Sequence, residues 1–412
     1  MRVAVVGGGL AGCAAALELR DAGHEVTLLE ARPKLGGAVQ TLPEREGDPA
    51  PPPDNGQHIA LGCFTEYLRF LERIGESGSV RRLRLSLPVV DEHRRWSHIS
   101  PGSILLARYR HLPLRERPRA WQLLALRGLD PSAHDGESFA DFLRGNGQSE
   151  RTIDRFWDVF IRPALNLPSR EVSAAMGLFT VQTALLSGRR AGELVLPTKP
   201  LGRMHGDAAR HSLERAGATV DTGVRVDAIE DLDADAIVVA TPPAEAARLL
   251  GDPAPTLESS PIVSVHLLFD RAILDRPLAA LLGSDAHWVF DHGALTDHLP
   301  QRGQYLTVVS SGVPELMEIR GRELVERIAG QVTERLGPAE LLWSRVSREP
   351  HATVALRPGT AAQRPGPTTS RPNVTRAGAW TDTGWPATME SAVRSGRTAA
   401  RALASLTTRV AA

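Results

Sequence analysis

The feature that most constrains this chain lies in its first thirty residues. An apolar run over residues 3–6 meets Gly7-Gly8-Gly9-Leu10-Ala11-Gly12, and Glu30 closes a second apolar run that starts near His24. A strand, a glycine turn, a helix and a second strand ending in an acid about 20 residues on make the sequence form of a dinucleotide-binding βαβ unit. Gly7 permits the tight turn, Gly9 lets backbone approach a pyrophosphate, and Gly12 lets a helix over residues 11–22 pack closely on its strand. The free N–H groups and dipole at that helix start favour negative charge, while Glu30 accepts hydrogen bonds from a ribose diol.

A second glycine pair follows in Ala31-Arg32-Pro33-Lys34-Leu35-Gly36-Gly37. A nicotinamide enzyme has no need of one so soon after the ribose acid. FAD lies extended, so backbone must pass close to its ribityl chain and ring edge, where only glycine avoids a Cβ clash. An ordinary glycine turn is the alternative; the segment favours FAD over NAD.

A length of 412 residues allows two domains with a sizeable core, and 48 basic against 48 acidic residues argue against a nucleic-acid surface. Lysine occurs only at Lys34 and Lys199, a bias that reads as GC-rich coding rather than arginine chemistry. Cys13 and Cys63 provide no disulfide framework and fit a reducing cytoplasm. No charged leader or apolar h-region is read at the start, and no stretch approaches the roughly 18 apolar residues of a spanning helix. The expectation is a cytoplasmic protein, neither secreted nor transmembrane.

Along the chain, residues 48–53 form a Pro-rich loop and residues 64–74 carry helical spacing. Residues 103–188 read as a helical insertion. A helix over 204–216 ends at Gly217, and residues 219–221 and 224–229 read as paired short strands. Residues 236–240 form a buried strand stopped by Pro242 and Pro243, as in a parallel sheet. Residues 261–270, 287–291 and 305–310 read as strands of a second sheet, followed by a helix over 315–336. Residues 374–380 are strand-like, and 386–406 helix-like with Pro386 at the favoured first position. The N-terminus of that helix, around Thr388 and Met389, would stabilise negative charge on a reduced flavin. The predicted fold is α/β, with a Rossmann-like FAD-binding domain (1–80, 190–250 and 350–412). A discontinuous α+β substrate domain would take 81–189 and 251–349.

The glycine fingerprint, Gly36-Gly37, the strand ending Ala240-Thr241-Pro242, and Ala377-Gly378-Ala379-Trp380 resemble the flavin amine oxidase and phytoene desaturase superfamily. Asp54-Asn55-Gly56-Gln57-His58 and Thr383-Gly384-Trp385-Pro386-Ala387-Thr388-Met389-Glu390 resemble, more narrowly, the squalene-associated FAD-dependent enzymes, the hydroxysqualene dehydroxylases of squalene and hopanoid synthesis. The resemblance implies reduction of hydroxysqualene, a linear C30 isoprenoid, to squalene. Carried over residue by residue, it implies phosphate contacts at Gly7, Gly9 and Gly12, ribose contacts at Glu30 and Arg32, and ring approach at Gly36 and Gly37. It also implies adenine contact at Val224 and the pyrimidine edge at Met389. Ala38 departs from the Arg common in relatives, and Ala379 from a common acid. Lys199, near where some amine oxidases hold a flavin-facing lysine, receives no role.

Removing an allylic hydroxyl needs a proton for the leaving oxygen and a hydride for the carbon, so an acid should stand beside the flavin among apolar walls. Asp54 and His58 are the candidates, although Asn55-Gly56 favours a turn and leaves their separation open; a turn-forming role is the alternative. His266, His287 and His351 read as core or rim residues, and no metal site is read. Residues 103–129 mix Ile104, Leu105, Leu106, Tyr109, Leu112, Trp121, Leu123 and Leu124 with six arginines, an amphipathic pattern that suits a membrane surface or an ordinary solvated face. A carotenoid-type desaturase, an amine oxidase and a nucleotide-binding regulator are the competing readings. The oligomeric state is not legible.

Overall fold

A computed structural model describes residues 1–100, 109–118 and 120–410. Among them, Arg2–Val6 is the central strand of a five-stranded sheet. The order is Val374–Arg376, Ala236–Val239, Arg2–Val6, Glu25–Glu30 and Thr219–Thr222, with every neighbouring pair parallel. Strands covered on both faces read as continuous apolar runs, and Val3 to Val6 and Ala236 to Val239 are all buried. Helix Leu10–Asp21 covers one face, and the closing helix Met389–Val410 lies against it. Gly396 permits that approach, since a Cβ there would stand 2.1 Å from the Ala11 carbonyl oxygen.

A seven-stranded sheet forms the second layer. Its order is Leu341–Val354, Ser259–Phe269, Gln304–Ser311, Trp288–Asp291, Leu278–Leu281, Leu87–Val90 and Trp96–Ile99, antiparallel except between Leu278–Leu281 and Leu87–Val90. Alternation decides its faces. Val263, Val265, Leu267 and Phe269 pack with Leu324, Ile328 and Val332 of helix Gly321–Leu336. Ser264 and His266 therefore turn the other way, sharing their face with Thr307 and Arg345, which lie opposite His266 in the register. Helices Phe139–Gly145, Asp158–Leu165 and Ala174–Thr180 belong to a separate core holding Phe139, Phe142, Trp157, Ile161 and Leu178. A small sheet of Ala60–Leu61, Leu194–Pro197 and Val80–Leu83 joins distant parts of the chain.

Several sequence expectations need correction. Residues 224–228 are irregular rather than a strand, and the edge strand Thr219–Thr222 pairs with Glu25–Glu30 instead. The closing helix begins at Met389, so Pro386 stands outside it, and the strand before it spans only Val374–Arg376. The helix expected over 315–336 is two, Pro314–Glu318 and Gly321–Leu336, divided at Ile319, whose backbone is extended. Within the amphipathic segment, residues 103–108 and 119 and the Trp121 side chain lie outside the described residues. Tyr109 and Leu112 are buried, and the Tyr109 hydroxyl donates to the Arg155 carbonyl, so these two belong to the core rather than to an outer stripe. Leu114 and Leu124 are exposed beside Arg110, Arg115 and Arg127. Among the described residues no helix is long and apolar enough to cross a membrane.

Candidate active site

The glycine loop shows why each glycine is there. Gly7 has φ +109° and a Cβ on it would lie 2.5 Å from the Ala240 carbonyl oxygen; one on Gly12 would lie 1.8 Å from that of Gly7. Both positions are closed by the fold itself. Gly9 differs: its hypothetical Cβ meets only the Gly37 Cα, at 3.7 Å, an ordinary contact. Protein packing does not demand glycine at position 9, which fits an open cradle for a ligand at the helix start.

Glu30 is drawn onto this loop. Gly8 N–H donates to its Oε2 at 2.6 Å and Arg32 N–H to its Oε1 at 2.7 Å. Gly223 and Val224 N–H groups bond the carbonyls of Arg32 and Glu30, so Glu30, Arg32 and Val224 gather at one strand end, the Val224 side chain exposed. Gly36 N–H donates to the Gly8 carbonyl at 2.9 Å, and a Cβ on Gly37 would stand 2.8 Å from the Gly9 Cα. The second glycine pair thus stacks backbone on backbone against the first, with φ of +119° and +61°. That is a nearer reason for two glycines than the approach of a flavin ring.

At the far end of the chain, Thr388 caps the closing helix, its Oγ1 accepting from Ser391 N–H at 3.5 Å, and Met389 packs against the core that helix Leu10–Asp21 shares with the five-stranded sheet. Residues 378–385 are held by a residue that sequence reasoning missed. The buried Arg364 guanidinium donates to the carbonyls of Ala379, Trp380, Thr381 and Trp385 and to Ser391 Oγ. Its position in a Pro/Gly-rich loop offered no signal. Lys199 pairs with Glu76 at 2.9 Å on the surface.

The Asp54-Asn55-Gly56-Gln57-His58 segment is a turn wedged between the second glycine pair and the seven-stranded sheet. Asp54 Oδ1 accepts from Thr41 Oγ1 at 2.6 Å and from Leu201 N–H at 2.9 Å. Asn55 donates to the Ala38 carbonyl at 2.9 Å and to Glu349 at 3.2 Å, and accepts from Gln40 N–H. Burial raises the Asp54 carboxyl to about 7 against the pull of its two donors. His58 Nε2 lies 3.2 Å from Asn55 Oδ1. Burial, with His205 nearby, lowers the His58 pKa to about 4, although the residue keeps some accessible surface. Asp54 and His58 make no direct bond: Asn55 stands between them.

Facing this turn is His266, which the sequence placed in the core without a role. Its Nδ1 lies 3.2 Å from Thr307 Oγ1 and 3.1 Å from the Tyr305 hydroxyl, and the ring faces the Asp54 backbone. Burial, reinforced by His292, keeps it neutral, with a pKa of about 3. Below the turn, Tyr67 Oη lies 2.7 Å from His205 Nε2, and His205 Nδ1 donates to the Leu201 carbonyl. Leu201 is the same residue whose N–H holds Asp54.

A parallel sheet with a glycine cradle, a ribose-type acid and a closing helix, joined to a second sheet that presents a buried polar face, defines a FAD-dependent oxidoreductase. Residues 10–404 match the flavin containing amine oxidoreductase family, and the chain belongs to it; its cofactor is FAD. It is similar over 97% of its length to a hydroxysqualene dehydroxylase of Sinorhizobium fredii, 31% identical and covered over 97%, and to one of Rhodopseudomonas palustris at 29% with the same shares. A probable zeta-carotene desaturase of Synechococcus elongatus is 26% identical over 98% of each chain. Among solved structures, cyclohexylamine oxidase from Brevibacterium oxydans shares the fold, with a TM-score of 0.73, 19% identity and 99% of each chain covered.

Proposed function

We propose that this protein is a hydroxysqualene dehydroxylase, converting hydroxysqualene to squalene in squalene and hopanoid synthesis. The observation that carries this reading is the full-length 31% identity to the Sinorhizobium fredii enzyme. A buried carboxyl with a pKa of about 7, beside the second glycine pair, supports it. Replacing C–OH by C–H releases water and requires a hydride at carbon and a proton at the departing oxygen. Reduced FAD, when bound, supplies the hydride.

Gly7, Gly9, Gly12 and the start of helix Leu10–Asp21 would hold the diphosphate, Glu30 and Arg32 the ribose, and Val224 the adenine. Gly36, Gly37, Thr388 and Met389 would border the flavin. Asp54, protonated in part at neutral pH, is the proton donor; Thr41 and Leu201 orient it. His58, neutral at that pH and bonded to Asn55, supports the turn rather than protonating the oxygen. The chain divides into an FAD domain (1–80, 190–250, 350–412) and a substrate domain (81–189, 251–349). The exposed Leu114 and Leu124 with Arg115 and Arg127 suit peripheral contact with an anionic bilayer from the cytoplasmic side, where a C30 hydrocarbon resides.

Anaerobic incubation of the photoreduced holoprotein with hydroxysqualene, followed by mass spectrometry of the lipid, tests the reading. Squalene is the expected product. Desaturated product from a carotene by the oxidised enzyme, with hydroxysqualene untouched, would transfer the assignment to the desaturase reading that the Synechococcus relative supports.

A further inference from the structure

Arg364 follows the short 3₁₀ turn Ala361–Gln363 and is only 6% exposed. Its guanidinium reaches the Thr381 and Trp385 carbonyls at 2.6 Å, that of Ala379 at 3.0 Å and Ser391 Oγ at 3.3 Å. Ser391 lies in the first turn of helix Met389–Val410, and its N–H bonds to Thr388 Oγ1. All of these partners are neutral. Among the described residues no carboxylate pairs with Arg364: Asp382, exposed and bonded to Gly384 N–H, favours its charge only from a distance, against the effect of burial. Glu390, the acid in the same helix turn, accepts from Glu66 and Tyr67 N–H and pairs with Arg394 instead. Arginine stays protonated in proteins, so a full positive charge is buried behind the start of the closing helix without a counter-ion. Taking such a charge out of water is costly unless an anion meets it.

We infer that Arg364 is a positioning residue for the flavin, which ties residues 379–385 to the first turn of the closing helix and, through its unpaired charge, favours anionic reduced FAD over oxidised FAD. The inference rests on the proposed placement of Thr388 and Met389 beside the flavin and adds what stabilises the reduced state there. The guanidinium engages four carbonyl oxygens whose negative ends would otherwise oppose an anion, and its charge adds to the dipole of a 22-residue helix. Reduction to that anion adds two electrons and one proton and leaves one more negative charge on the ring, which a fixed cation stabilises.

The test measures the FAD content and flavin midpoint potential of wild-type, Arg364→Gln, Arg364→Lys and Thr388→Asp holoprotein. Arg364→Gln, which loses the charge, should lower the preference for reduced over oxidised FAD by about tenfold, about 30 mV for a two-electron couple. Arg364→Lys keeps the charge without the planar fork and should stay within about threefold of wild type. Equal shifts in the two Arg364 variants, or none in either, overturn the inference, because an arginine that only braces the loop gives that pattern. The wild type supplies a reading that survives a failure of Arg364→Gln to fold. In mildly acidic buffer its potential should report one proton per two electrons, about a tenfold change in the reduction constant per pH unit; two protons, as for free FAD, would overturn the inference. Thr388→Asp separates this inference from the placement it rests on. A lowered potential in that variant puts the helix start beside the flavin whatever Arg364 does, whereas an unchanged one removes the placement and the inference together.

Discussion

The five-stranded and seven-stranded sheets offer opposite devices for meeting a ligand. In the first, the central strands are apolar on both faces and the candidate ligand site is backbone at the strand ends, where Gly7 and Gly12 let the fold close and Gly9 alone leaves room. In the second, one face is a hydrophobic layer on helix Gly321–Leu336, and the other carries Ser264, His266, Thr307 and Arg345 towards the Asp54 turn. Backbone recognition tolerates almost no change at its glycines but is indifferent to nearby side chains. A side-chain surface should behave in the reverse way: its members can be exchanged at modest cost to the fold and at large cost to chemistry.

Substitution at Gly12 should give the largest effect. Gly12→Val places a Cβ 1.8 Å from the Gly7 carbonyl oxygen, so helix and strand must part. We expect a loss of about 3 kcal/mol or more, seen as insoluble protein or a collapsed thermal transition. A soluble Gly12→Val protein of wild-type melting temperature would break the comparison outright.

Gly9→Val sharpens it, because the protein itself leaves room there. The variant should fold and yet retain at least about tenfold less FAD per protein after gel filtration. Wild-type flavin stoichiometry would make the loop a mere turn.

On the side-chain surface, Asp54→Asn keeps both acceptor bonds and should keep FAD. Squalene formation should slow by about 10² to 10⁴-fold without rescue by more substrate, as measured by single-turnover flavin reoxidation. The same variant has a stability signature. The folded Asp54 pKa, about 7, lies above its ordinary value of 3.8, so the unfolded chain ionises first. Wild-type stability from this group is complete below about pH 4 and declines as pH rises to about 7, by about 1.4 kcal/mol per unit at most. Denaturation curves of Asp54→Asn should lack that decline; parallel curves would show that Asp54 is ordinary in its titration.

Lys199→Ala should do least. Its pair with Glu76 is exposed, so stability should change by less than about 1 kcal/mol and the flavin spectrum not at all. A shifted spectrum would put the lysine back beside the flavin.

The dinucleotide half was legible because its determinants are local: three glycines, an acid and two apolar runs lie within thirty residues. The spacing alone implied turn, cradle and helix contact, and a Cβ at each glycine meets, or fails to meet, the atoms those roles require. Local signals misled where short-range propensity met tertiary demand. Val224 looked like strand yet runs irregularly past the sheet, bonded to the Glu30 carbonyl, and Pro386 looked like a helix start yet lies three residues ahead of one.

The candidate acid site was only half visible. Asp54 and His58 could be singled out by residue type, but four residues of separation say nothing about distance in a turn. The partners that tune Asp54 come from Thr41 and Leu201, 147 residues away in the second case. His266 and Ser264 read as ordinary members of an alternating strand, and period-two patterning says only that they share a face, not what that face meets. The sequence by itself determined the βαβ unit and its glycines, since backbone sterics act between near neighbours. Only the tertiary structure decided which carboxyl is desolvated and which groups hold it, because desolvation and hydrogen bonding depend on groups that the chain brings together from distant parts of the sequence.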